Sequence, residues 1–239
     1  MILALLMLCN ASFGETIIQS GVSRSNLIEL YTSEGCSSCP PADRWLSTLK
    51  EHPALWDQLV PIAFHVDYWD YIGWKDRFAR PDFTKRQRQY SRDKSVPTVY
   101  TPALISNGRE WRNFAWKSPA QSTDQNAGSL TAETVADELA IRFKPVEALA
   151  VDKLVIHVAL LGFGLTTEVR AGENAGRELN HDFVVLEYVQ EAMRLDGDSY
   201  QSTTPRPRSK VDAEKYALAL WVSKEDEQTP LQAAGAWLD

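Results

Sequence analysis

An α/β fold of order β-α-β-α-β-β-α, followed by an antiparallel β-rich extension, is predicted by three observations. The apolar run Leu27–Thr32 leads through Cys36-Ser37-Ser38-Cys39 into a segment of helical periodicity. Asn107-Gly108, a strong hairpin signal, closes the apolar run from Val99. After Pro145 the strand-like runs Lys153–Leu161, Thr167–Ala171, Phe183–Gln190 and Tyr216–Ser223 succeed one another with no helix between them. We therefore expect two units, at residues 24–145 and 150–239.

The chain has 239 residues, of which 44% are hydrophobic, enough to bury a sizeable core. Its formal charge of −7, with no basic run, argues against nucleic acid or an anionic membrane surface as the partner. Met1 to about Gly14 is apolar and ends in small residues, the pattern of a cleaved secretory signal and hence of a secreted or periplasmic protein. Removing it takes Cys9 away. Cys36 and Cys39 are then the only thiols, and an oxidising compartment makes them a local disulfide or a redox-cycling pair.

In chain order, the run Leu27–Thr32 fits a central strand, interrupted only by Glu29. Pro40 and Pro41 suit the first turn of the next helix, where the N–H groups have no intrahelical partner. Trp45, Leu46 and Leu49 follow at helical spacing, and Asp43 places a negative charge near the helix start. Val60–Asp67 reads as a second, parallel strand, reached by crossing over that helix. The loop after it, with Tyr68, Trp69, Tyr71 and Trp74, should lie beside the cysteines. Its aromatics either form a groove for an extended peptide or fold inward to cap the core. His65 and Asp67 share a strand face. The histidine is read as a hydrogen-bonded structural residue, with metal ligation as the alternative.

Pro81 to about Lys94 reads as a solvated helix with Lys85, Arg86, Arg88 and Arg92 on an exposed face. Thr131–Phe143 is expected to be the closing helix, with Thr131 as N-cap and Val135, Leu139 and Phe143 as its stripe. Ser118–Ser129 is a polar loop, and Thr203–Arg208 a proline-rich linker. In the extension, Glu173–Arg177 with His181-Asp182 is a polar connection. Arg177 there could grip a carboxylate with help from His181, or simply stand beside a turn held by Asn174 and Asp182.

Three stretches carry a resemblance: Glu29–Asp43 around the CxxC, Phe64–Asp70, and Tyr100-Thr101-Pro102, with Gly172–Arg177 matching further on. On these the chain resembles domain-of-unknown-function family 1223, secreted proteins of thioredoxin-like fold. The resemblance implies a fold and a compartment rather than a settled reaction. It also makes Glu29 the candidate for a buried proton relay beneath the disulfide, the alternative being a place at an exposed end of the strand, and implies that Pro102, rather than its competitor Pro97, is a cis-proline with Thr101 pairing the substrate backbone.

The function expected from these readings is thiol–disulfide exchange with protein or peptide thiols, with a membrane redox partner as a further candidate. Cys36 attacks, Cys39 resolves, and Glu29 handles the proton. Tyr68, Trp69, Trp74, Thr101, Pro102 and Arg177 are the substrate-binding candidates. No cofactor and no resident metal are expected. Two alternatives stand beside this: a binding protein whose Cys36–Cys39 disulfide is structural, and a Cu(I)-handling protein using both thiolates and His65.

Overall fold

The computed structural model describes residues 15–112, 119 and 125–238. The expected signal segment and most of the Ser118–Ser129 loop lie outside the described residues. The strands are β1 (Glu15–Gln19), β2 (Asn26–Thr32), β3 (Leu59–His65), β4 (Ala103–Ser106), β5 (Arg109–Glu110), β6 (Gly128–Val135) and β7 (Glu138–Pro145). Then come β8 (Lys153–Phe163), β9 (Leu165–Glu168), β10 (Glu178–His181), β11 (Val184–Asp196), β12 (Ser199–Pro205), β13 (Lys215–Lys224) and β14 (Gln232–Leu238). Among the described residues there are two α-helices, α1 (Pro40–Ser47) and α2 (Pro81–Arg92).

From β2 through Glu110 the element order follows the sequence expectation, and β1 is an additional strand before it. Apolar residues fill every position of β2 and β3 except Asn26, Glu29, Thr32 and His65, so both faces are covered, as in a central parallel pair. Asn107 (φ 47°) and Gly108 (φ 83°) turn the chain from β4 into β5, and both left-handed conformations suit an Asn-Gly hairpin.

The thioredoxin-like fold expected from the sequence is nevertheless incorrect for this chain. The protein is mostly β. The strands β1-β6-β7-β12-β11-β3-β2-β4-β5 form a continuous path, and β8, β13 and β14 complete a mixed twelve-stranded sheet, beside a separate β9–β10 pair. The expected closing helix Thr131–Phe143 is instead a hairpin, β6 and β7, turning at Ala136-Asp137 with Ala136 at φ 54°. Leu139, Ile141 and Phe143 are buried on alternate residues of β7, the period of a strand. Val135, Leu139 and Phe143 recur every four residues, which suits a helix face and a strand face alike. The threonines Thr131 and Thr134, stiff at χ1, tip that ambiguity towards strand.

The strands expected after Pro145 are present as β8, β9, β11 and β13, and Asp196-Gly197-Asp198 closes the β11–β12 hairpin. The expected linker from Thr203 begins inside β12, whose Pro205 ends the ladder to β7 at Glu138. Strands on both sides of residue 150 share the sheet. β11 pairs β3 in parallel at Val184 and Ala63, and the Ala63 amide donates to the Phe183 carbonyl at 2.8 Å. One hydrophobic cluster holds Leu30, Ile62 and Phe64 together with Leu161, Phe183 and Trp221.

Candidate functional site

β2 delivers the chain into Thr32-Ser33-Glu34-Gly35-Cys36. The turn is fixed by Gly35 N–H donating to Ser33 Oγ (3.1 Å) and Cys36 N–H to the Ser33 carbonyl (3.2 Å). Gly35 is required by close approach, since a Cβ there would stand 2.9 Å from Trp69 Cβ. Cys39 occupies the N-cap of α1 with Pro40 and Pro41 behind it, and its carbonyl accepts from the Ala42 and Asp43 amides. Cys36 and Cys39 form a disulfide with Cα atoms 5.4 Å apart. Both cysteines are buried, at 1% and 0% exposure, under the exposed Ser37 and Ser38. The Ser38 hydroxyl lies 3.3 Å from Cys36 Sγ.

A second segment clamps this turn from 138 residues away in sequence. The buried Asn174 donates through Nδ2 to the carbonyls of Glu34 (2.8 Å) and Cys36 (3.0 Å), and the Arg177 guanidinium holds Asn174 Oδ1 at 2.7 Å. Glu173 accepts the Ser37 N–H at 3.0 Å, and hydrogen bonding with the Ser37 side chain and then with this N–H holds its carboxyl below the usual range. Arg177 thus binds the Asn174 amide of its own turn, closer to the turn expected from Asn174 than to a grip on a substrate carboxylate.

Behind the turn lie five buried ionisable side chains: Glu34, Asp43, His65, Asp76 and His181, none more than 7% exposed. Asp76 accepts from the Glu34 and Phe78 amides at 2.9 Å each, and His65 Nδ1 lies 2.7 Å from Asp76 Oδ2. Burial acts to lower the His65 pKa, but Asp76 carries it above its ordinary value. Burial likewise acts to raise Asp76, and His65 holds it below. His181 Nε2 is 3.5 Å from Glu34 Oε1 and its Nδ1 is 3.9 Å from Asp43 Oδ2, while its ring meets that of His65 edge-on at 5.0 Å. Burial pushes the Asp43 carboxyl up, with His181 and His65 working against it. Asp43 follows Cys39 by one helical turn, hence on the same face of α1. Trp74 Nε1 donates to Glu34 Oε2 at 2.8 Å.

The family model described as a protein of unknown function, family 1223, matches residues 27–223. The chain belongs to domain-of-unknown-function family 1223. No curated protein matches it in sequence. Among solved structures, this family 1223 chain is similar to a protein of Agrobacterium tumefaciens at 24% identity and TM-score 0.61. That match covers 90% of this chain and 94% of the other. It is also similar to HBP35 of Porphyromonas gingivalis at 12% identity and TM-score 0.63, covering 92% and 77%. At these identities the likeness speaks for the fold alone.

Several residues singled out from the family 1223 sequence meet at the CxxC turn. Trp69 packs on Gly35, and its Nε1 donates to Thr101 Oγ1 at 2.7 Å. The Thr101-Pro102 peptide bond is cis. Tyr68 is half-buried, and burial pushes its phenol up to about 12. Only Tyr71 of the four loop aromatics stands out fully, at 82% exposure. Trp69 and Trp74 therefore brace the loop as much as they line it.

Glu29 is placed elsewhere. Arg86 of α2 holds it bidentately at 2.8 and 2.9 Å, Tyr31 donates to it at 2.8 Å, and Tyr90 donates as well. Glu29 and Thr32, three apart on a strand, point to opposite faces, and Glu29 takes the α2 face. Arg86, expected on a solvated helix face, is instead 4% exposed. Among the described residues no three His, Cys, Asp or Glu side chains are placed to hold a metal ion, and His65 Nδ1 is engaged by Asp76. Asp76 is not legible as a site residue in the sequence, and Glu34 is legible only as part of the Glu29–Asp43 stretch, because lone acids in loops carry no periodic signal. Asn174 was visible only as a turn residue inside Gly172–Arg177.

Proposed function

We propose that the Cys36–Cys39 pair is redox-active and that the protein exchanges disulfides with protein or peptide thiols in an oxidising compartment. The observation that carries this reading is the cluster of three acids and two histidines buried behind the disulfide. A bond that only staples a loop needs none of them. Burying ionisable groups costs several kcal/mol each unless they are paired, and perturbed groups of this kind gather where protons are moved.

In the exchange a substrate thiolate attacks Cys36 Sγ. The Cys36–Cys39 bond breaks, and its electron pair leaves on Cys39 Sγ, which takes up a proton. A second substrate thiolate then attacks the substrate sulfur of the mixed disulfide and expels Cys36 as thiolate, at the positive end of α1. Asp43, one turn from Cys39 and held towards its neutral form by burial, is the group we assign to exchange that proton. Glu29, engaged by Arg86, Tyr31 and Tyr90, is not. Thr101, beside the cis bond and steadied by Trp69, is the candidate for pairing the substrate backbone.

The experiment is equilibration of the protein with glutathione buffers followed by trapping of free thiols. A reduction potential of roughly −120 to −270 mV, with exchange abolished in Cys36→Ser, supports the reading. A second reading rests on the 1% exposure of Cys36 and the Asn174 clamp: a structural disulfide in a binding protein. It requires a potential below about −300 mV.

A further inference from the structure

Three anion-sensitive features lie at or next to the Cys36–Cys39 pair: the N-terminus of α1, capped by Cys39, the Ser38 hydroxyl at 3.3 Å from Cys36 Sγ, and the N–H of the adjacent Ser37. The first two favour negative charge on sulfur. The third is already taken, because Glu173 Oε2 accepts it at 3.0 Å. This carboxylate is held in place from its own turn, where the neighbouring Asn174 binds the Cys36 carbonyl and is in turn bound by Arg177.

We infer that Glu173 is a positioning residue that sets the reduction potential of the Cys36–Cys39 pair, acting through the Ser37 N–H to favour the disulfide. The inference rests on the redox reading of the pair given above. In the disulfide form sulfur carries no charge, and Glu173 holds the Ser37 N–H unopposed. Reduction by a dithiol moves two electrons into the S–S bond. The reductant becomes a disulfide, one of its two protons goes to Cys39, and the other is released as Cys36 emerges as thiolate. The Cys36 thiolate then stands next in sequence to the amide that holds the Glu173 carboxylate, and the repulsion between the two negative charges disfavours the reduced form. The Ser38 hydroxyl acts in the opposite sense by donating to the thiolate. Glu173 is exposed, so its effect is screened by water and weakens as salt is added. Its counterpart in the clamp, the Asn174 bond to the Cys36 carbonyl, is buried and keeps the two segments in register.

The test compares the wild-type chain, Glu173→Gln and Ser38→Ala in dithiothreitol redox buffers at low and high salt, with the pH profile of Cys36 alkylation as a second readout. Glu173→Gln is expected to shift the equilibrium severalfold towards the dithiol. A threefold shift corresponds to about 14 mV at 29.6 mV per tenfold. Its alkylation profile should move to lower pH, and both changes should shrink at high salt. Ser38→Ala should move potential and profile the other way. An unchanged potential with an unchanged alkylation profile in Glu173→Gln, or a shift of the opposite sign, overturns the inference. The wild-type potential bears on the redox reading by itself: a value below about −300 mV ends that reading whatever the variants do.

Discussion

His65 and Asp76 are buried together at 1% and 2% exposure, so the protonation of each depends on the other. His65 has its pKa raised above 6.5, and a raised histidine contributes stability that is fully present below that ordinary value and is lost as pH rises through the folded one. Asp76, lowered from 3.8, contributes stability that is present above 3.8 and is lost as pH falls through its folded value. Asp43, raised from 3.8 by burial, loses its contribution in the same direction as His65, as pH climbs. Urea midpoints measured between about pH 5 and 9 should therefore decline on the alkaline side in the wild type. The decline above pH 6.5 should be reduced in His65→Gln. A wild-type midpoint that stays level or rises above pH 6.5 would show that His65 does not act in this way. The other buried pair is Glu29 with Arg86. Burial acts to lower the Arg86 pKa, but Glu29 and the surrounding tyrosines carry it well above its ordinary value.

At the scale of elements, the β6–β7 hairpin is where local signals and fold diverge. A helix over Thr131–Phe143 would bury Val135, Leu139 and Phe143 on one stripe. In the hairpin Val135 is 42% exposed next to the turn, and Ile141 is 2% exposed against Leu154, Ile156 and Tyr200 in its cluster. Ile141→Ala is expected to cost about 2–5 kcal/mol, as a large-to-small change in a core, whereas Val135→Ala should stay within about 0.5 kcal/mol. Chemical denaturation of the two variants decides it, and equal costs would favour the helical stripe. The α1 segment was readable by contrast. Its prolines and its position after a CxxC fall within a dozen residues, and local rules suffice over that range, although of the expected stripe Trp45 is only half-buried and Leu49 lies in a 3-10 turn beyond the helix.

For the whole molecule, the sheet crosses residue 150 and the main hydrophobic cluster draws on residues from Leu27 to Ala233. Trp56 meets Phe183 and Trp237 edge-on at 6.0 and 5.5 Å, and Phe163 meets Phe183 at 4.8 Å, so aromatic packing stitches both halves of the chain. The CxxC turn is itself completed by Asn174 and Glu173. Unfolding is therefore expected as one cooperative transition, with coincident midpoints by tryptophan fluorescence and far-UV circular dichroism. Two separated transitions would mean that residues 24–145 and 150–239 fold as independent units.

What the sequence alone determined is what neighbours along the chain can settle. The β2-turn-α1 geometry places Cys36 and Cys39 within disulfide reach, Asn107-Gly108 forces its hairpin, and the family is legible in Glu29–Asp43 and Gly172–Arg177. The tertiary structure alone decided which carboxylate stands where. Glu29 faces α2 because strand phase and the position of Arg86 are set by packing, and a strand of buried residues offers no polar face from which to read that phase. It also decided that Thr131–Phe143 is a hairpin, since a spacing of four satisfies both periods until a neighbouring strand, here β12, supplies its hydrogen bonds. The clamp of Glu173 and Asn174 on the CxxC turn joins segments more than 130 residues apart, a contact no local rule encodes.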